Sequence, residues 1–162
     1  MKTLVIYDSV FGNTEQIARA IGSGLGAAEE TGVLRVSLVR LEELTGLDLL
    51  IVGSPTRGFR PTEALTHLLK TIAPNALAGV KITTFDTRIA TSDIQSVGLR
   101  FMVKIGGYAA RPIADALVKK GGVLVAPPEG FYVQGEKGPL KAGELERAAT
   151  WARRIQELCH PR

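Results

Sequence analysis

Apolar and polar positions alternate along this chain in two different rhythms. Leu4-Val5-Ile6-Tyr7 is a short apolar run, and Ile17, Ala18, Ile21 and Leu25 then recur at helical spacing. These patterns predict a strand at Lys2–Tyr7 and a helix at Thr14–Gly26. Val36 and Leu38 alternate with Arg35 and Ser37, which predicts a half-buried strand over Leu34–Val39, followed by a helical turn at Arg40–Leu44. Leu49-Leu50-Ile51-Val52 is apolar on both faces, so Leu47–Gly53 reads as a central parallel strand. Further along, the expectations are a loop at Ser54–Pro61, a helix from Thr62 to Ile72, and a strand at Val80–Phe85. An irregular stretch over Asp86–Ile94 precedes a short apolar helix at Val97–Ile105, which Gly106-Gly107 ends. A helix at Pro112–Lys120, a strand at Val123–Ala126 and a last helix at Gly143–Leu158 complete the pattern, with Phe131–Gln134 continuing the edge strand.

Strands that alternate with helices imply an α/β fold, a doubly wound parallel sheet with helices on both faces. Five strands suggest the order 2-1-3-4-5 within one domain spanning 1–162. In such sheets ligands bind beyond the carboxyl ends of the strands, where the strand order reverses. The loops after strands 1, 3 and 4 are the polar ones, rich in Gly and Pro, and they would converge there.

The first of these loops is the most informative. Ser9-Val10-Phe11-Gly12-Asn13-Thr14 leads from a strand directly into a helix. A helix N-terminus offers free N–H groups and the positive end of a dipole to an anion. Ser9 and Thr14 add hydroxyl donors, and Gly12 allows close backbone approach. The loop holds no Lys or Arg, which suits one phosphate monoester held by neutral donors. No G-x-x-x-x-G-K-[ST] motif occurs, and Gly22-Ser23-Gly24-Leu25-Gly26 lies at a helix end, where it terminates the helix. An ordinary capped turn without a ligand is the plain alternative.

Val5-Ile6-Tyr7-Asp8-Ser9-Val10-Phe11-Gly12-Asn13-Thr14, followed by Ala18 and Ile21, resembles the FMN-phosphate signature of the flavodoxin family. The order 2-1-3-4-5, with FMN at the switch between strands 1 and 3, is a property of flavodoxin itself. The resemblance implies a phosphate site at Ser9, Phe11, Gly12, Asn13 and Thr14. It implies a flavin-ring loop at Pro55, Thr56, Arg57, Gly58 and Phe59, with Gly58 free to take positive φ and Phe59 a candidate for ring contact. The single Phe departs from the Trp or Tyr that many flavodoxins set against the ring. Asp86, Thr87 and Arg88 occupy the place of the third flavin loop. Tyr108 could lie near the flavin or pack on the sheet as a helix-start residue. Between these loops, Ile94, Val97, Leu99, Phe101, Met102, Val103 and Ile105 fit a packed cap, with a lid over the flavin or a dimer surface as alternatives.

Composition narrows the remaining choices. Cys159 is the only cysteine, so a disulfide framework is excluded, and the two histidines, His67 and His160, suit neither a triad nor a metal cluster. No apolar run reaches membrane-spanning length, and a cytoplasmic setting is the default expectation. The net charge of +4 is uneven: residues 1–48 are net −3, residues 49–128 net +6 and residues 129–162 net +1. No basic run with interleaved aromatics suggests nucleic-acid binding. Flavodoxins as a family are acidic, so the basic middle segment is a departure. Arg57, Arg60 and Arg88 would be the cations nearest the ring. A cation about 5 Å from a reduced ring, at an effective dielectric near 20, is worth roughly 3 kcal/mol. That is on the order of 100 mV upward for a one-electron step. The alternative is that these arginines face solvent or pair with Glu63 and Asp86.

Three functions follow from the resemblance. The first is an FMN-binding electron carrier that meets a redox partner with an acidic docking face, as a monomer or weak homodimer. The second is an NAD(P)H-dependent quinone reductase of the same fold. The third is a module without FMN that only binds partners, against which the intact phosphate loop speaks.

Overall fold

The computed structural model describes residues 1–27 and 30–160; the side chains of residues 103–106 lie outside the description. Six strands form one parallel sheet: β1 (Lys2–Tyr7), β2 (Glu30–Arg35), β3 (Leu49–Pro55), β4 (Lys81–Ile89), β5 (Val123–Leu124) and β6 (Glu129–Val133). The order is β2-β1-β3-β4-β5, with β6 also paired to β4. Among the described residues four helices flank it, α1 (Asn13–Gly24), α2 (Glu63–Thr71), α4 (Ala110–Lys119) and α5 (Glu144–Cys159), while α3 (Val97–Gly106) stands away from the sheet. The 2-1-3-4-5 order and the two-sided helical cover are those expected of the flavodoxin-like α/β fold.

Side-chain alternation on the central strands divides the core in two. Leu4, Ile6, Leu50, Val52 and Ile82 pack under α2 and α4, against Leu65, Leu68, Leu69, Ile113 and Leu117. Val5, Tyr7, Leu49, Ile51 and Phe85 pack under α1 and α5, against Ile17, Ile21, Ala148, Ala152 and Ile155. Successive residues of a strand point to opposite faces, so an unbroken apolar run is what a sheet covered on both sides needs. Close packing fixes Gly53, where a Cβ would stand 2.1 Å from the Phe85 ring. It also fixes Gly24, where a Cβ would meet the Ala149 backbone of α5 at 2.5 Å.

Three expectations shift. The second strand is Glu30–Arg35, and Val36–Leu38 form a 3-10 turn where strand was expected. β2 pairs in parallel with β1 from Lys2↔Glu30 to Tyr7↔Arg35, so it ends level with β1. Leu38, part of the alternation that suggested strand, is exposed. The strand expected to end at Phe85 continues to Ile89, because β6 pairs with it from Phe85↔Glu129 to Ile89↔Val133. The edge strand is therefore split, with β5 beside the start of β4 and β6 beside its end.

The apolar insert also differs. Ile94 and the helix α3 follow a 3-10 turn at Thr91–Asp93, but Val97, Leu99, Phe101 and Met102 are exposed instead of forming a packed cap. The helix packs on the Thr91–Asp93 turn. The side chains of Val103 and Ile105 lie outside the described residues.

Candidate functional site

Loops at the carboxyl ends of β1, β3 and β4 meet at the switch point of the sheet. They enclose a cleft of about 270 Å³ whose lining includes Ser9, Phe11, Asn13, Thr14, Pro55, Thr56, Arg57, Gly58, Thr87 and Arg88. Parallel register brings the loops together: Tyr7 pairs with Gly53, and Gly53 with Phe85.

The β1 loop is held in shape by contacts within the chain. Gly12 has φ 90°, a left-handed conformation that glycine takes without cost. Ser9 Oγ accepts the N–H groups of Gly12 at 3.1 Å and Glu15 at 3.3 Å. Arg35, from the end of β2, donates to the Ser9 carbonyl and lies 3.6 Å from Asp8. Thr14 is buried and its hydroxyl shares a 2.8 Å hydrogen bond with Thr87, which ties the helix start to β4. Asn13 Nδ2 donates to the Lys137 carbonyl at 3.2 Å. The first-turn N–H groups of α1 are those that a helix leaves without an internal acceptor.

The β3 loop is a small hairpin. The N–H groups and carbonyls of Arg57 and Arg60 bond each other at 2.9 and 3.0 Å. The two residues between them, Gly58 at φ 53° and Phe59 at φ 68°, take the paired positive φ of a type I′ turn. Gly58 fits this readily, whereas a bulky Phe there is strained. Phe59 is at the hairpin tip and is not among the cleft-lining residues. The Arg57 guanidinium instead lies 5.7 Å from the centre of the Phe11 ring, joining the two loops across the cleft. Thr56 Oγ1 accepts the Ala109 N–H at 3.0 Å, which fixes this loop to the start of α4.

The β4 segment corrects one expectation. Asp86 does not frame the cleft: it is fully buried. It accepts two hydrogen bonds from Arg88, at 2.6 and 2.7 Å, and the Ala110 N–H at 2.9 Å. Residues i and i+2 of a strand share a face, which is why a segment that reads as polar loop can be strand with an internal ion pair. Burial pushes the Asp86 carboxyl above its ordinary range, against the pull of Arg88. The guanidinium is clamped on both sides. Tyr108 stacks on it at 3.7 Å, and a Cβ at Gly130 would lie 2.3 Å from its Nε. Tyr108 also shares a 2.6 Å hydrogen bond with Thr91. Tyr108, like Gly12, is outside the lining of the cleft.

Four further lining residues were not among the expected site residues: Val10, Ile89, Val133 and Glu136. Ile89 lines the cleft because β4 runs longer than expected, and Val133 because β6 lies beside it. Glu136 belongs to the turn before α5, where Gly138 packs against the Asn13 amide with no room for a Cβ. Gly135 and Gly138, flanking that turn, were the available signal.

The sequence profile of the flavodoxin family matches residues 5–87, just over half of the chain. The chain is a member of the flavodoxin family. Family membership carries with it the expectation of a flavoprotein of electron transport. Solved structures show the fold across nearly the whole length. A flavodoxin from the domain Archaea superposes with a TM-score of 0.74 at 21% identity, covering 98% of this chain and 99% of that one. Flavodoxin 2 from Bacillus cereus gives 0.74 at 23% identity, covering 97% and 99%. The rubredoxin:oxygen oxidoreductase of Desulfovibrio gigas gives 0.70 at 19% identity, with 98% of this chain matching 36% of that one. Among curated proteins no sequence match is found. The matched profile ends at Thr87, so it includes the β1 and β3 loops and the first part of the β4 segment.

Proposed function

We propose that this family member binds FMN in the cleft and carries electrons between redox partners. The observation that supports this best is the meeting of the Ser9–Thr14 loop and the β3 hairpin at the switch point, over a helix N-terminus. The donor set there is chemically suited to one phosphate: Ser9 and Thr14 hydroxyls, loop amides and the α1 dipole. Ser9, Phe11, Gly12, Asn13 and Thr14 would hold the phosphate. Pro55, Thr56, Arg57 and Gly58 would flank the ring, with Thr87 and Arg88 beside them. Phe59, Asp86 and Tyr108 would act at one remove, by shaping the hairpin and fixing Arg88. FMN, when bound, supplies the electron-transfer chemistry. The chain's own residues bind it, orient it and set its electrostatic surroundings.

Arg57 is the exposed cation on the cleft, whereas the charge of Arg88 is matched by Asp86. A flavin easier to reduce than in acidic flavodoxins, and a partner with an acidic docking face, follow from Arg57 and the net charge of +4. The experiment is a titration of the purified protein with FMN and with riboflavin, followed by anaerobic addition of NAD(P)H to the FMN-loaded protein. Tight 1:1 binding of FMN, far weaker binding of riboflavin and no rapid bleaching are the expected results. No FMN binding would overturn the cofactor, and rapid bleaching without a partner would overturn the carrier role.

A further inference from the structure

The helix α3 has a composition that water does not favour. Val97 is 76% exposed, Leu99 45%, Phe101 64% and Met102 55%. At 100° per residue these four side chains spread over an arc of about 200°, from Val97 through Phe101 and Met102 to Leu99. A helix that docks on one flat protein surface needs an apolar stripe about half as wide. Arg100 lies in the remaining arc. Its Nε is buried with no hydrogen-bond partner among the described residues, in a hollow shared with Thr91, Ser92 and Phe101. The positive charge of the partly exposed Arg100 side chain beside a broad apolar surface matches an anionic group at the rim of an apolar phase. The segment 49–128 that contains this helix is also the one with the positive excess, net +6.

We propose that α3 is a membrane-surface anchor that lies in the interface of a bilayer rich in anionic phospholipid. Val97, Leu99, Phe101 and Met102 enter the acyl boundary, and Arg100 meets lipid phosphate. A bilayer interface surrounds an inserted helix, so it covers a 200° arc that a single protein face would leave half exposed. The anchor is two side-chain contacts from the cleft, through Thr91 to Tyr108 and from Tyr108 to Arg88. Binding would thus hold the cleft close to the lipid surface.

The test is cosedimentation of the full chain with vesicles of phosphatidylcholine alone and of phosphatidylcholine with 30% phosphatidylglycerol. The expected result is binding to the anionic vesicles only, weakened by salt and reduced at least tenfold in Leu99→Ser/Phe101→Ser/Met102→Ser. The substitutions fall on exposed positions, and an unchanged thermal melt would show that the fold is intact. A second variant, Phe101→Trp, should gain emission that brominated phosphatidylglycerol quenches, beyond any quenching of Trp151 seen in the wild type. Absence of binding to anionic vesicles would overturn the proposal. So would binding that the triple variant retains, or Phe101→Trp emission that brominated lipid leaves untouched. A homodimer in sedimentation equilibrium that the triple variant abolishes, without vesicle binding, would assign the surface to a second copy instead.

Discussion

Ser9 Oγ accepts two backbone N–H groups and closes the β1 loop on itself. When it also serves a phosphate, its hydroxyl proton is free to donate outward, since both internal bonds use its lone pairs. Ser9→Ala is therefore expected to weaken FMN binding about tenfold or more, the worth of one hydrogen bond to a charged acceptor. Riboflavin, which lacks the phosphate, should bind the variant and the wild type alike, and isothermal titration of both ligands separates the two effects. The two cleft arginines should behave differently from one another. Arg88→Gln leaves Asp86 buried beside a neutral amide, and the breaking of a buried pair costs about 3–5 kcal/mol. Arg57→Gln breaks only a contact with Phe11 at the surface. Urea denaturation should show a large loss for Arg88→Gln and little for Arg57→Gln. Anaerobic redox titration should show the lower potential in Arg57→Gln. A potential unmoved by Arg57→Gln would remove the guanidinium as the cause of any upward shift.

At the scale of elements, one carboxylate ties the last helix to the strand that borders the site. Glu144, at the start of α5, accepts the Tyr132 N–H of β6 at 2.7 Å and pairs with Arg147 at 2.7 Å. Burial opposes its ionisation, but Arg147, the Tyr132 N–H and Lys141 outweigh burial and hold its carboxyl below the ordinary range. A carboxylate with a lowered pKa in the folded state contributes stability that is fully present above the unfolded value, about 4.3. That contribution is lost as pH falls below it toward the folded value. Denaturation midpoints measured from pH 7 to pH 3 should fall more steeply for the wild type than for Glu144→Gln, with the two curves converging at the acid end. Legibility also varied by element. β1 and β3 were plain in the sequence because both faces are buried and the apolar run has no gaps. β2 was misplaced because an edge strand needs no such run: Glu30, Thr31 and Gly32 pair through backbone alone. Asp86–Arg88 looked like loop because a buried ion pair leaves the same letters as a solvated turn. Of the site, the Ser9–Thr14 loop was legible from local chemistry, whereas Val133 reaches the cleft through a pairing of β6 with the end of β4 that the edge-strand pattern at Phe131–Gln134 did not specify, and Glu136 follows in the turn beyond it.

For the whole molecule, charge decides encounter. The net charge is +4, and Arg57 and Arg60 stand exposed on the hairpin beside the cleft. Electron transfer from the reduced, FMN-loaded protein should be faster to an acidic redox protein than to a basic haem protein at low ionic strength. Added salt should slow the first reaction and leave the second equal or faster, because screening removes attraction in one case and repulsion in the other. Stopped-flow rates at several salt concentrations check this, and salt slopes of the opposite sign would refute it. Among the described residues no helix is long and apolar enough to cross a membrane.

The split between β5 and β6 has a consequence for crowded solutions. Parallel sheets end in strands with a free row of N–H and C=O groups, and a long, flat, apolar edge invites a second molecule to add itself. Val123 and Leu124 are exposed on such an edge. Yet β5 is two residues long, and Pro127-Pro128 follow before β6 resumes the pairing with β4. Proline has no N–H to offer an incoming strand, so the template is interrupted within a few residues. The break that swings β6 toward the cleft also keeps neighbouring molecules from zipping together along that side.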